Sequence, residues 1–159
     1  MNGIEAGLFE LSKLFLLPVL VLILLSLAYA FGMLGGFAVE AWQRRRGTCR
    51  PALAAFQAAS RATSDDMELW ILKRLEWLRI VSRAAPMLGL VATMIPMGPA
   101  LLALSANDAS AVGENLVVAF SAVILALVSA SITHLVLTIR RRWLLEDLRA
   151  IERALEARP

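Results

Sequence analysis

The chain has 159 residues, of which 59% are hydrophobic and 18% are charged, and its formal net charge is +3. Soluble domains are about 45–50% apolar, and a soluble chain of this length has no core large enough to bury the excess. The composition therefore excludes an ordinary soluble domain and indicates an integral membrane protein. The small positive charge does not call for a nucleic-acid partner, because basic residues beside anionic lipid account for it.

Three uncharged stretches predict transmembrane helices. They cover residues 14–39, 84–107 and 115–139, and His134 is the one titratable side chain in the last of them. Each stretch is longer than the ~20 residues that a helix needs to cross ~30 Å of hydrocarbon. We predict an all-α integral membrane protein with transmembrane helices at residues 14–39, 84–105 and 114–139.

The first stretch has an alternative reading as a secretory signal. Ala28, Tyr29 and Ala30 resemble a small-x-small cleavage site after an apolar run. However, Glu5 and Glu10 precede the run, and the run is longer than the ~7–15 residues of a signal core. These features favour a retained transmembrane helix.

The basic residues predict the orientation. Residues 43–83 contain nine Lys and Arg against four Asp and Glu, and residues 140–159 contain six against four. Among the other polar segments, Lys13 is the only base. The positive-inside rule places the two basic segments in the cytoplasm, so that residues 1–13 and the loop of residues 106–113 face outward.

Two of the helices are predicted to extend into the cytoplasm. Thr63 or Ser64 can cap a helix that starts at about residue 64, and no Gly or Pro interrupts it before Ala85. The third helix continues through residues 140–159, where apolar side chains recur at helical spacing: Leu144, Leu148, Ile151 and Leu155.

The second and third spans each carry one narrow face of small, slightly polar residues. In the second span these are Gly89, Thr93, Pro96 and Ala100. In the third span they are Asn115, Ala122, Ala126, Ser129 and Thr133. Two interpretations are open: close packing between helices, or faces that surround a permeation path or an inserted helix.

Two titratable residues in or beside the third span are also open to two interpretations. Glu114, at its outer end, can face a water path, or it can reach solvent and favour the helix N-terminus. His134 can relay protons, or it can be an ordinary histidine near the membrane interface.

The sequence contains no set of residues that points to an enzyme. We find no nucleophile and base pair, no metal-ligand cluster and no phosphate-binding loop, and the single cysteine, Cys49, rules out a disulfide framework. We therefore expect no catalytic residues, no cofactor and no metal site.

The stretch LRIVSRAAPMLGLVATMIPMGPALLAL resembles the motif Ala-Pro-x-x-Gly-Leu-x-Gly-Thr that opens the second span of the MotA/TolQ/ExbB proton channel family. The matching positions are Ala85, Pro86, Gly89, Leu90 and Thr93, and an acid-led third span follows at Glu114. The similarity covers about residues 75–142, and the short cytoplasmic loop is closest to the TolQ/ExbB branch.

The sequence departs from the family pattern at three places. The glycine before the threonine is Ala92, Pro96 and Pro99 are additional prolines, and Ala119 stands where the family often has a threonine. Ser121 or Ser129 can supply the missing hydroxyl of the third span.

The resemblance implies a homopentamer in the cell (inner) membrane that surrounds a single-span partner of the MotB/TolR/ExbD kind. The partner supplies a membrane aspartate, and ion flow, expected to be of protons, is converted into mechanical work. The implied ion-pathway or pore-lining residues are Thr93, Glu114, Ser121, Ser129 and Thr133. The residues expected to shape the pore helix are Pro86, Gly89, Pro96, Gly98 and Pro99.

A second class of function fits the same residues. A non-conducting membrane scaffold, which assembles partners through its cytoplasmic helices, needs only the small-residue packing and the amphipathic extensions.

Overall fold

The computed structural model describes residues 3–46, 53, 55–56 and 63–156. Parts of the predicted segments 1–13, 43–83 and 140–159 lie outside these residues, and so does Cys49.

Three long helices make up the described chain. They are α1 (Gly3–Arg45), α2 (Ser64–Ser105) and α3 (Ala109–Glu156). All three are long and apolar enough to cross a membrane, by length and composition. The prediction of an all-α chain with three potential transmembrane helices is therefore confirmed.

A capping box starts α2. The Thr63 backbone N–H donates to Asp66 Oδ2 at 3.1 Å, and the Asp66 N–H donates to Thr63 Oγ1 at 3.4 Å. Asp66 lies outside the predicted span of residues 84–105. Hydrogen bonds from the Thr63 hydroxyl and then from the Thr63 N–H lower the pKa of the Asp66 carboxyl. These bonds satisfy backbone groups that a helix end otherwise leaves unpaired.

The connection between α2 and α3 is shorter than the predicted loop of residues 106–113. Asn107 turns the chain with a positive φ of 58°, a conformation that Asn tolerates better than most residues. Asp108 Oδ1 then accepts a hydrogen bond from the Ala111 N–H at 3.1 Å, so α3 begins at Ala109. The helix therefore starts five residues before the predicted transmembrane segment of residues 114–139, whose bounds in a membrane stay a prediction.

The chain divides into two compact units. The first unit comprises Met1–Phe31 and Val81–Ile132, and the second comprises Gly32–Ile80 and Thr133–Pro159. In the first unit, all three helices contribute to one apolar cluster. Its buried members are Val19, Ile23, Ala92, Ala122 and Ala126.

The second unit contains a different set of buried side chains. Its α2 segment buries Met67, Ile71, Leu75 and Leu78, and its α3 segment buries Val136, Leu144 and Leu148. These spacings of three, four and eight residues are those of an amphipathic helix face. Leu53, which precedes α2, is also fully buried.

Ion pairs and an aromatic stack join α1 to α3 within the second unit. Glu40 Oε2 accepts from Arg140 Nη2 at 2.8 Å, and Asp147 Oδ2 accepts from Arg44 Nη2 at 2.7 Å. The Phe37 and Trp143 rings stack with centroids 5.2 Å apart. We call these six residues the α1–α3 clamp.

Candidate functional site

The small-residue faces of α2 and α3 meet within the first unit. Gly89 is buried, and a Cβ placed on it would lie 2.8 Å from Ala126 Cβ and 3.4 Å from Val123 Cγ2. Such an approach is possible only because residue 89 has no side chain. Ala92 and Ala122 are buried in the same cluster. For Gly89 and Ala126, the structure thus favours the close-packing interpretation.

Thr93 follows Gly89 by one helical turn and is half-buried. Its Oγ1 donates to the Leu90 carbonyl at 2.7 Å. This bond uses the hydroxyl proton, and the oxygen keeps lone pairs that can accept a hydrogen bond from a protonated carboxyl or from water. Whether Thr93 takes part in an ion pathway stays a prediction.

The prolines of the pore-helix prediction lie inside α2, which continues through Pro86, Pro96 and Pro99. Each proline lacks an N–H, so a carbonyl one turn earlier loses its usual helical donor. Pro96 is buried, whereas Pro86, Gly98 and Pro99 are half-buried. Membrane helices tolerate such freed carbonyls where protein or water re-satisfies them.

Glu114 and Ser121 both lie on the exposed surface of α3. They are seven residues apart, which places them on the same side of the helix. Next to Glu114, the Asn115 side chain donates to the Ala111 carbonyl at 2.7 Å. The structure therefore leaves the Glu114 carboxylate and the Ser121 hydroxyl accessible from outside the chain, and their predicted role in an ion pathway remains a prediction.

Ser129 and Thr133, by contrast, are fully buried. Ser129 Oγ donates to Ser26 Oγ at 3.1 Å, and Ser26 Oγ donates to the Ile23 carbonyl at 2.8 Å. A chain of hydrogen bonds thus joins α3 to α1 inside the first unit. This arrangement supports the packing interpretation for Ser129, because its hydroxyl is already engaged between two helices of the same chain.

The sequence did not reveal Ser26 as the hydrogen-bond partner of Ser129. The first span is rich in Leu, Val and Ile, and its composition gives no direct indication of a polar contact with another helix. The available signal was a serine within an apolar run, since a hydroxyl in hydrocarbon needs a hydrogen-bond partner.

The α1–α3 clamp was missed as well, because the basic residues at the ends of the spans were read as orientation signals. Glu40 and Arg140 retain 29% and 19% side-chain exposure, and Asp147 and Arg44 retain 17% and 24%. The Arg44 guanidinium also lies 4.8 Å from the centre of the Trp143 ring. Half-buried charges of opposite sign thus pair between helices at the basic ends of α1 and α3.

The described residues contain no group of three or more His, Cys, Asp or Glu that could hold a metal ion. His134 is exposed on α3. Its backbone carbonyl accepts the Thr138 hydroxyl at 2.9 Å.

Comparison with known proteins identifies the family. The sequence model of the MotA/TolQ/ExbB proton channel family matches residues 37–153 of the 159-residue chain. The match extends beyond residues 75–142, where the motif resemblance was seen, and includes both the α1–α3 clamp and the small-residue faces. Searches of curated proteins and of solved structures gave no match. Because the family match covers well over half of the chain, this protein belongs to the MotA/TolQ/ExbB proton channel family.

Proposed function

We propose that this chain is the channel-forming, stator-type subunit of a membrane motor. Family membership implies a membrane subunit of the proton-channel type. The proposal adds that the chain forms a homopentamer in the inner membrane, with its N-terminus outside and its C-terminus in the cytoplasm. The pentamer surrounds a single-span MotB/TolR/ExbD-like partner and converts the ion-motive force into mechanical work.

The observation that carries the proposal is the family match across the second and third spans together. The charge pattern supports it, because residues 84–107 and 115–139 contain no Asp or Glu. A proton that crosses the apolar interior needs a group that can bind and release it. On this proposal that group is a carboxylate from the partner, and the chain itself needs no catalytic residue or cofactor.

Thr93 and Glu114 have distinct roles in this mechanism. Thr93 Oγ1 keeps acceptor capacity after its bond to Leu90, so it can hold the protonated carboxyl of the partner or a water beside it. Glu114 is exposed at the predicted outer end of α3 and attracts cations to the entrance. One elementary charge that crosses 100 mV supplies ~2.3 kcal/mol, which is the driving force for movement between the two subunit types.

The test uses the chain reconstituted with its partner in liposomes, under an imposed proton gradient. Thr93→Val keeps the shape of the side chain but removes the hydroxyl, whereas Thr93→Ser keeps the hydroxyl. We expect proton flux to fall about tenfold in Thr93→Val, the effect of one lost hydrogen bond, and to persist in Thr93→Ser. Unchanged flux in Thr93→Val would remove Thr93 from the pathway.

Glu114→Gln provides the matching test at the entrance, with Glu10→Gln as the control. Both replacements remove one exposed carboxylate on the side predicted to face outward. We expect flux to fall in Glu114→Gln alone. Native mass in mild detergent is measured in parallel, and five copies of the 17.3 kDa chain are expected for every variant.

The non-conducting scaffold remains the second candidate, and one observation favours it. Gly89, Ala126 and Ser129 use their small or polar groups for packing within one chain. If the assembled wild-type complex carries no ion flux, and if replacing Thr93 and Glu114 by apolar residues leaves its biological activity intact, the scaffold is the better description.

A further inference from the structure

One exposed face of α3 carries polar side chains at the basic end of its span. His134, Thr138, Arg141 and Leu145 follow one another at spacings of four, three and four residues, which places them on one helix face. All four are exposed, and Leu135 beside them is 51% exposed. Val136, on the opposite side of this segment, is fully buried.

Arg141 differs from the two arginines beside it. Arg140 pairs with Glu40 at 2.8 Å in the α1–α3 clamp, and Arg142 pairs with Glu146 at 2.9 Å along α3. The ion pairs among the residues that the structure describes do not include Arg141. Its positive charge is therefore available to an anion that approaches this exposed face of α3.

The charge pattern predicts that this face lies at the membrane boundary. The uncharged part of the span ends at Ile139, just before Arg140. At about 1.5 Å per residue, His134 lies roughly 10 Å deeper along α3 than Arg141. Each interfacial layer of a bilayer is about 5–8 Å thick. The two residues therefore lie on either side of the predicted boundary between the hydrocarbon and the headgroup layer.

The chemistry of each group fits the part of a lipid at its own depth. A guanidinium donates two parallel hydrogen bonds to a phosphate. An imidazole N–H is a hydrogen-bond donor, which suits an ester carbonyl. The Thr138 hydroxyl already donates to the His134 carbonyl. Its oxygen can still accept a hydrogen bond from a water or from a hydroxyl of the lipid headgroup. Leu135 offers apolar surface at the level where an acyl chain begins.

We propose that His134, Thr138 and Arg141 form a binding site for one anionic phospholipid at the basic end of α3. Arg141 binds the phosphate, and His134 binds an ester carbonyl. The site goes beyond the proposed ion-transport function, and it needs neither a partner protein nor ion flow.

The test measures lipid binding directly. The chain is purified in mild detergent and titrated with phosphatidylglycerol, and bound lipid is counted by native mass spectrometry. The comparison is between Arg141→Gln and Arg142→Gln, which remove equal charge from adjacent positions. His134→Phe removes the N–H but keeps an aromatic ring, and Arg141→Lys keeps the charge. Helix content and oligomeric mass are checked for every variant.

We expect Arg141→Gln to weaken the binding of the first phosphatidylglycerol about fivefold, the usual effect of one basic residue near an anionic surface. Arg142→Gln should stay within about twofold of the wild type, because its charge is already balanced by Glu146. His134→Phe should weaken binding about twofold or more, and Arg141→Lys should retain most of it. Phosphatidylcholine should bind more weakly than phosphatidylglycerol.

Several results would overturn the site. Equal weakening by Arg141→Gln and Arg142→Gln would mean general attraction to anionic lipid. Wild-type binding in both Arg141→Gln and His134→Phe would place any bound lipid elsewhere. If soluble glycerophosphate bound as tightly as the lipid, the ligand would be a soluble phosphate compound and not a phospholipid. A wild-type chain that oligomerises but binds no phosphatidylglycerol would mean that a neighbouring copy covers this face.

Discussion

Gly89→Ala tests the close contact between α2 and α3. The added Cβ would lie 2.8 Å from Ala126 Cβ. Carbon atoms at optimal separation are about 3.5–4.0 Å apart, so the helices would have to separate by roughly 1 Å. Overpacking of this kind costs about 1–3 kcal/mol. Alanine is about 1 kcal/mol more favourable than glycine in a helix, so we expect a net destabilisation of roughly 0–2 kcal/mol.

Gly113→Ala is the matched control. Gly113 lies in α3 within the same unit, and nothing lies within 4 Å of its added Cβ. This variant gains the helix propensity without the clash, so the difference in unfolding free energy between the two variants isolates the steric cost. We expect a difference of about 1–3 kcal/mol.

The assay is reversible unfolding in mixed detergent micelles, followed by circular dichroism as the denaturing detergent is increased. The double variant Gly89→Ala with Ala126→Gly moves the methyl group from one helix to the other and should recover most of the lost stability. If Gly89→Ala were as stable as Gly113→Ala, the close approach of the helices would not contribute to stability, and the reasoning would be wrong.

Three further predictions use the same assay. Ser129→Ala, which breaks the 3.1 Å bond to Ser26, should cost about 0.5–1 kcal/mol, a typical value for hydroxyl bonds between membrane helices, and Ser131→Ala on the exposed face should cost less. Glu40→Arg should destabilise the chain by about 1–3 kcal/mol because it places two half-buried arginines together, and adding Arg140→Glu should restore the pair; failure of this swap would contradict a direct ion pair. Thr63→Ala should cost about 1 kcal/mol by removing the cap of α2, whereas Thr63→Ser should be nearly neutral.

The three helices could be predicted because their determinants are local. A run of apolar residues longer than the hydrocarbon thickness must satisfy its backbone groups internally, and a helix does this whatever surrounds it. The start of α2 was predictable for the same reason, since Thr63 and Asp66 lie within one turn of each other. The start of α3 is also encoded locally, because Asp108 and Ala111 lie within one turn of each other.

Contacts between helices could not be predicted in this way. Helical periodicity showed that Ser129 belongs to a polar face of small residues, but it could not show that the partner is Ser26 on α1. The same holds for the pairs between Glu40 and Arg140 and between Arg44 and Asp147. The two arginines have a local explanation as orientation signals, and only the register of two packed helices reveals their pairing with the acids.

The sequence by itself determined the membrane class, the three helices, and the motif that led to the family, because each depends on composition or on residues close together in the chain. The tertiary structure decided which small and polar residues are engaged within one chain. It buries Ser129 between two helices and leaves Glu114 and Ser121 exposed on α3. Hydroxyls at helical spacing look alike in a sequence, and the burial of each one depends on the neighbouring helix that packs against it.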